Sequence, residues 1–156
     1  MLASASALRR GLIAGLFAAC VCGAPLALSM VSAPSTSAAE ETIEKAMDTM
    51  KKNARALKPL LQEKDKAAEA LPLVVEIEHA ILAAKGATPD LVNEIQDEKK
   101  KAEEKIAFRR AMIEMLGETL KLEDALIEGK MDKAKEHYEK LGKMQKPGHD
   151  RFKKDD

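Results

Sequence analysis

Apolar residues recur every three or four positions through most of the chain, which is the spacing of one face of an α-helix. The most regular stretch alternates steps of four and three: Ile43, Met47, Met50, Ala54, Leu57 and Leu61. Lysine and arginine occupy its other faces. One-by-one alternation of apolar and polar residues, the sign of a half-buried β-strand, is absent. The pattern predicts an all-α protein.

Three more helices follow from the same spacing. The second carries Leu73, Val74, Ile77, Ile81 and Leu82, with Pro72 near its start and Lys85-Gly86 at its end. The third carries Ile106, Phe108, Met112, Met115, Leu116, Leu120 and Leu122 and ends at Gly129, which suits a left-handed C-cap. The fourth carries Met131, Ala134, Tyr138 and Leu141. Four such helices predict an antiparallel up-down-up-down four-helix bundle.

The start of the third helix is indicated by Thr88-Pro89-Asp90. Threonine as N-cap, proline at the first helical position and aspartate in the first turn are typical of a helix start. The stretch from Glu94 to Lys105 holds ten charged or amide residues. It is open to three interpretations: a helix that extends past the bundle, a frayed helix, or a partly ordered connection.

The end of the fourth helix contains Pro147 and Gly148. Proline inside a helix removes a hydrogen bond, clashes with the preceding turn and costs about 3 kcal/mol. We therefore expect this helix to end near Leu141 or Gln145. His149 would then lie on a tail beyond it.

The first 39 residues have the composition of a secretory signal peptide. Arg9 and Arg10 form a short positive region, and the run from Gly11 to Ser32 is almost wholly apolar or small. Ser37-Ala38-Ala39 is a small-residue cleavage site, so cleavage is predicted before Glu40. The leader predicts export to the periplasm.

Two alternatives to a cleaved leader remain. One is a retained membrane anchor, which Pro25 disfavours because it interrupts the apolar run; the other is a lipoprotein attached at Cys20. Both cysteines, Cys20 and Cys22, lie inside the predicted leader. The exported domain, residues 40–156, then has no disulfide, no thiolate metal site and no covalent haem attachment.

The charge balance of the exported domain excludes several function classes. Without Arg9 and Arg10 it has 24 basic against 26 acidic residues, a net charge of −2. Neither nucleic acid nor, after cleavage, a membrane is therefore expected as a partner, and the scarcity of aromatic residues argues against base stacking. No carboxylate stands on an apolar face beside a base or nucleophile, and no glycine-rich phosphate loop is present, so we expect no enzyme.

Two candidate iron ligands occupy mirror positions in this domain. Met47 lies seven residues after Glu40, and His149 lies seven residues before Asp156. In an up-down-up-down bundle the first and last helices are neighbours, and both termini lie at one end. A thioether and an imidazole would face each other across one mouth of an apolar bundle. Methionine with histidine is an axial pair found in electron-transfer haem proteins.

The same residues resemble the cytochrome b562 family. The segment Ile43–Asn53 is similar to that family's opening helix, with Met47 at its axial methionine. The segment Phe108–Gly117 resembles the core of its third helix, and Leu126–Met131 resembles the turn that follows. From Phe108 to the end of the chain the resemblance needs no gap, and it puts His149 at the axial histidine.

The resemblance implies a soluble periplasmic electron carrier with one non-covalent b-type haem, axial ligands Met47 and His149, and an unknown periplasmic redox partner. It also implies that helix continues through His149. Phe108 keeps an aromatic residue of the family's haem pocket, Met112 stands where an aromatic is usual, and Lys153 keeps a basic residue near the haem edge.

Other interpretations remain beside this one. A haem-free periplasmic binding or stress-response module of the same fold is the main alternative. A copper-handling bundle is a weaker one, based on the soft ligands Met47, Met50, Met112, Met115, Met131 and Met144. His79 and His137 are competing iron ligands, but His137 lies about three turns, roughly 18 Å, from His149.

Overall fold

The structure, a computed structural model, describes residues 36–153. This part of the chain holds helices and no strand: α1 (Thr36–Leu60), α2 (Ala67–Gly86), α3 (Asp90–Asn93), α4 (Glu98–Ile127) and α5 (Met131–Phe152). The predicted leader lies outside the described residues except for its last four, which begin α1. Cys20 and Cys22 also lie outside them. No helix in residues 36–153 combines the length and apolar character needed to cross a bilayer.

The four long helices form the predicted all-α four-helix bundle. α1 packs along α2, α2 along α4, and α4 along α5. The largest fully buried side chains come from α1, α2 and α4: Leu57, Val74, Ile81, Thr119, Leu122 and Leu126. The predicted stripe on α1 is confirmed, because Ile43, Leu57 and Leu61 are buried while Met47, Met50 and Ala54 are partly buried against the core.

The turn between α4 and α5 is also as predicted. Gly129 has a φ of +69°, a left-handed conformation that residues with a Cβ rarely adopt. Its N–H donates to the carbonyl of Leu126, and the N–H of Lys130 donates to that of Ala125. These two bonds form a Schellman motif, which satisfies carbonyls at the helix end and reverses the chain.

A helix starts where Thr88-Pro89-Asp90 predicts one, but it is not the long third helix. Its N-cap is Pro89 and not the predicted Thr88, and this helix, α3, ends after one turn at Asn93. The long helix begins only at Glu98, where the carboxylate of Asp97 accepts a hydrogen bond from the N–H of Lys100 at 2.7 Å. An aspartate cap satisfies an N–H that a helix start leaves without a partner. The second start signal, not the first, therefore positions α4.

The expectation that the fourth helix ends near Leu141 or Gln145 is also wrong, because α5 continues through Pro147 to Phe152. Proline deprives the carbonyl four residues earlier of its helical donor. Both Pro147 and Lys143 are exposed, so water can replace that donor. Beyond the proline, side chains of α5 contact α4 and offset the cost.

Three residues predicted to face the core are instead exposed. Leu82, Ile106 and Leu120 keep 44%, 54% and 47% of their accessible surface. The core-facing side of α4 is formed by a different set: Phe108, Met112, Thr119, Leu122, Ala125 and Leu126. α4 therefore carries two apolar lines, of which one is outside the core.

Candidate functional site

The first and last helices, α1 and α5, are joined differently from the other neighbours in the bundle. Over residues 36–153, they lack the close backbone packing that joins the other adjacent long helices. Side chains connect them instead. The hydroxyl of Tyr138 donates to the carbonyl of Ala54 at 3.0 Å, and Nζ of Lys135 donates to Oε1 of Gln62 at 2.9 Å. The first contact joins α1 to α5, and the second joins α5 to the turn that follows α1.

The Tyr138–Ala54 hydrogen bond identifies which faces of α1 and α5 meet. His149 lies eleven residues after Tyr138, and at 3.6 residues per turn this is a rotation of only about 20° from the same face. Met47 lies seven residues before Ala54, which again rotates it by about 20°. Met47 and His149 therefore lie on the two faces that the hydrogen bond brings together.

The same hydrogen bond relates their heights along the bundle. In an antiparallel pair, each step forward on α5 matches one step back on α1. His149 lies eleven residues after Tyr138, and eleven steps back from Ala54 end at Ile43. Met47 lies about one helical turn from that level. Each side chain points toward the N-terminus of its own helix, so the side chains of Met47 and His149 point toward each other along the bundle axis.

Apolar side chains of α4 and α5 form a wall beside this part of the bundle. Phe108 and Met112 are both only 3% exposed. The ring of Phe152 packs against the ring of Phe108, with 5.2 Å between centroids and 77° between planes. Met47 and His149 are partly buried. Two soft or borderline donors at the edge of an apolar wall are a chemically suitable donor set for haem iron.

The end of α5 is fastened to α4 by an ion pair. Nε and Nη2 of Arg151 donate to the two carboxylate oxygens of Glu104 at 2.9 and 3.0 Å. This bidentate contact lowers the pKa of Glu104 and raises the pKa of Arg151. It anchors the helical turn that contains His149, beyond Pro147. The N–H of Lys153 then closes the helix by donating to the carbonyl of His149 at 3.0 Å, while the Lys153 side chain is exposed.

The two competing histidines are placed elsewhere. Nδ1 of His137 donates to Oε1 of Glu118 on α4 at 2.6 Å, and this hydrogen bond is the main cause of the lowered pKa of Glu118. The side chain of His137 thus contacts α4 and not α1. His79 is exposed on α2. Within residues 36–153, no group of three or more His, Cys, Asp or Glu side chains is placed to hold a metal ion.

Sequence reasoning missed three residues that support this region. Tyr138 was predicted only as a core residue, and Arg151 and Phe152 were not assigned contacts. A signal for the last two was present, since they follow His149 by two and three residues and so share its helical turn. The partner of Tyr138 is a backbone carbonyl, which no side-chain pattern reveals.

Among known protein families, the model described as Cytochrome b562 matches residues 42–153. The match covers all of α2, α3, α4 and α5 and most of α1. Among curated proteins, none matches the chain significantly.

Proposed function

The chain belongs to the cytochrome b562 family, a family of haem-binding helical bundles that carry electrons, and from this premise we propose that it carries single electrons in the periplasm. It binds one non-covalent b-type haem between α1 and α5. Met47 and His149 are its axial ligands. The predicted leader supports the location, and the electrons pass to and from a periplasmic redox partner of unknown identity.

The observation that carries this proposal is the Tyr138–Ala54 hydrogen bond. It joins α1 and α5 at one end of the pair, on the faces that carry His149 and Met47. The weaker backbone packing between these two helices is consistent with a flat group inserted there. The resemblance and the geometry thus support the same pair of residues by independent arguments.

Each residue has a chemical task in this proposal. A bound haem would supply one-electron transfer, and Met47 and His149 would hold its iron. The Met47 thioether, a soft ligand, favours the ferrous state and raises the reduction potential, while the His149 imidazole binds both states. Phe108 and Met112 keep water from the apolar side. The Arg151–Glu104 pair holds the His149 turn in place.

An absorption spectrum of the purified exported chain tests the proposal. We expect a red protein with a sharp α-band on reduction. Added haemin should also raise the melting temperature of the haem-free chain, because a ligand that binds only the native state adds about 2.7 kcal/mol at 100 times its Kd. A colourless chain that takes up no haemin and melts at the same temperature with and without it would contradict the proposal. It would favour the haem-free module instead.

A further inference from the structure

α4 carries an apolar line that the bundle does not cover. Its four members are spaced seven residues apart and are 47% to 65% exposed: Ile106, Ile113, Leu120 and Ile127. Seven residues make almost two helical turns, so the four lie along one side of the helix. A coiled-coil seam, in which one helix packs along another, has two apolar positions in each seven residues, and this line supplies one of them.

The line is also where exposed large apolar side chains concentrate. Over residues 36–153 there are five such side chains, and the fifth is Leu82 on the neighbouring helix α2. Apolar side chains scattered singly over a surface are ordinary, whereas a contiguous set marks a contact surface. The line is therefore a candidate surface for contact with another helix.

The charge distribution along α4 indicates which kind of helix could pack against this line. Residues 98–110 hold six basic and three acidic side chains, whereas residues 114–128 hold one basic and five acidic side chains. This is the reverse of what the helix dipole favours, and the last turn of α4 has no basic residue. A helix with one basic half and one acidic half is complementary to a second copy of itself running in the opposite direction.

We propose that two copies of this chain associate along α4 in antiparallel orientation. The two-fold axis passes between Leu116 and Gly117, halfway along the apolar line. Ile106 then meets Ile127 of the partner subunit, and Ile113 meets Leu120 of the partner subunit. Such an interface is self-complementary, as a two-fold symmetric contact must be.

The charges beside the line pair in the same register. Arg109 meets Glu123 of the partner subunit, and Arg110 meets Asp124 of the partner subunit, because residues at equal angles from the apolar line lie on the same side of a two-fold antiparallel pair. None of these four side chains forms an ion pair within the described chain, so each has its charge available for a partner. A parallel arrangement would instead set like charges against each other, which is unfavourable.

Gly117 supports the position of the axis. A Cβ built there would meet no heavy atom within 4 Å, so the bundle itself does not require glycine at this position. Glycine in the middle of a helix costs roughly 0.5–1 kcal/mol relative to alanine. Its small size is useful where two helices approach most closely, which in the proposed dimer is beside residue 117.

This contact uses α4 alone and leaves α1 and α5 of both copies uncovered, so it rests on the fold and not on the proposed function. A single seam with half-exposed side chains falls short of the roughly 800 Å² per partner of a stable interface. The association is therefore reversible and depends on concentration. High salt weakens it, because the flanking charges are exposed.

Sedimentation velocity of the exported chain tests the association from low micromolar to the highest soluble concentration. We expect a shift from monomer to dimer with rising concentration, and a weaker shift in high salt. A monomer at every concentration would overturn the proposal. Growth beyond a dimer would also overturn it, because an antiparallel two-fold contact closes at two copies.

Charge reversal tests the register. The double variants Arg109→Glu/Arg110→Glu and Glu123→Arg/Asp124→Arg should each be monomeric alone, and an equimolar mixture of the two should form a heterodimer. The exposed pair Lys51→Glu/Lys52→Glu on α1 is the matched control and should dimerise like the unchanged chain. A dimer that survives in both double variants alone would overturn the proposed pairing.

Cysteine cross-linking tests the axis. Gly117→Cys should form a disulfide-linked dimer on mild oxidation, since the two copies of this residue adjoin the axis. Ile106→Cys lies on the same line, but its two copies are roughly 30 Å apart in the antiparallel dimer, so it should not cross-link. The unchanged chain is the control for any other thiol. Cross-linking at Ile106→Cys and not at Gly117→Cys would overturn the orientation.

Discussion

The hydroxyl of Tyr138 donates a hydrogen bond to the carbonyl of Ala54 at 3.0 Å, and this contact sets the rotation of α5 against α1. Burial raises the pKa of the Tyr138 phenol, so the group stays protonated and remains a donor at any physiological pH. The proposed ligands lie on the same two faces. A hydrogen bond far from the iron thus aligns the residues that would hold it.

Replacing Tyr138 with Phe removes this hydrogen bond and keeps the ring. We expect the haem-free chain to lose about 1 kcal/mol of unfolding free energy, the usual net value of one hydrogen bond. Urea denaturation measures this loss, and haem titration should show a weaker affinity. The exposed neighbour Glu139→Gln is the control. Unchanged stability and haem affinity in Tyr138→Phe would show that the contact does not align the helices.

Replacing Met47 with Ala should leave a folded bundle that still binds haem through His149. The loss of the soft sixth ligand should lower the reduction potential by on the order of 100 mV, since axial ligands set haem potentials over a range of about 0.8 V. The ferric iron should become partly high-spin. Redox titration and absorption spectra measure both effects. Met50→Ala, a partly buried methionine one turn away, is the control; an unchanged potential in Met47→Ala would reject the ligand assignment.

Replacing His149 with Ala should reduce haem affinity more than the Met47 change does, because imidazole is the stronger iron ligand. The reduction should exceed the roughly 10–100-fold that loss of an outer-sphere partner costs. Haemin titration measures it. His137→Ala and His79→Ala are controls and should keep full affinity. If His137→Ala loses haem while His149→Ala keeps it, the fold remains and the site assignment fails.

Replacing Pro147 with Ala tests the continuity of α5. Alanine restores the N–H that a helix needs, so we expect a gain in stability of up to about 3 kcal/mol. Gly148→Ala should add roughly 0.5–1 kcal/mol, since a Cβ there meets nothing within 4 Å. Urea denaturation of the haem-free chain measures both. A loss of stability in both variants would mean that the chain needs a non-helical turn at this point.

Replacing Glu78 with Gln tests a pH effect inside the bundle. Burial, together with the nearby charge of Glu123, raises the pKa of Glu78 above its usual 4.5. One of its carboxylate oxygens is buried without a hydrogen-bond partner. A raised pKa in the folded state means that stability is present at low pH and is lost as the pH rises through that pKa.

Glu78→Gln should therefore stabilise the chain at pH 7, because the amide removes a partly buried negative charge and its repulsion with Glu123; we expect on the order of 1 kcal/mol, since one unit of pKa corresponds to about 1.4 kcal/mol. At pH 4 the gain should be smaller, because more of the wild-type carboxyl is then protonated. Denaturation of both chains at the two pH values measures the difference. The exposed Glu76→Gln on the same helix is the control. A gain of equal size at both pH values would exclude titration of Glu78 as its cause.

The bundle can be predicted from the sequence, because burial of one side of a helix leaves an apolar repeat in the sequence that is visible without knowing which helix packs against it. Ile43 and Leu57 follow this logic, while Gly129 follows the separate rule that glycine is favoured at a left-handed helix end. Ile106 and Leu120 do not, since a helix with apolar residues on two sides does not reveal which side faces the core. The end of α5 depends on the Arg151–Glu104 pair, which joins residues 47 positions apart. Local rules about Pro147 could not include that contact.

The start of α4 shows a second kind of limit. Thr88-Pro89-Asp90 and Asp97 are both valid start signals, and only the packed structure selects the one that begins a long helix. For the candidate site, the ligand pair came from types and positions in the sequence. The support from Tyr138 needed coordinates, because its acceptor is the backbone of Ala54.

The contact between Glu40 and Asp90 links the predicted cleavage site to the fold. Oε2 of Glu40 accepts a hydrogen bond from the N–H of Asp90 at 3.1 Å and so ties the beginning of α1 to α3. Glu40 is also the first residue after the predicted cleavage site. If the leader is removed there, the tether is kept, whereas a cut one residue later would give the same bundle without it. The position of the cut would then decide how firmly the α2–α4 connection is held.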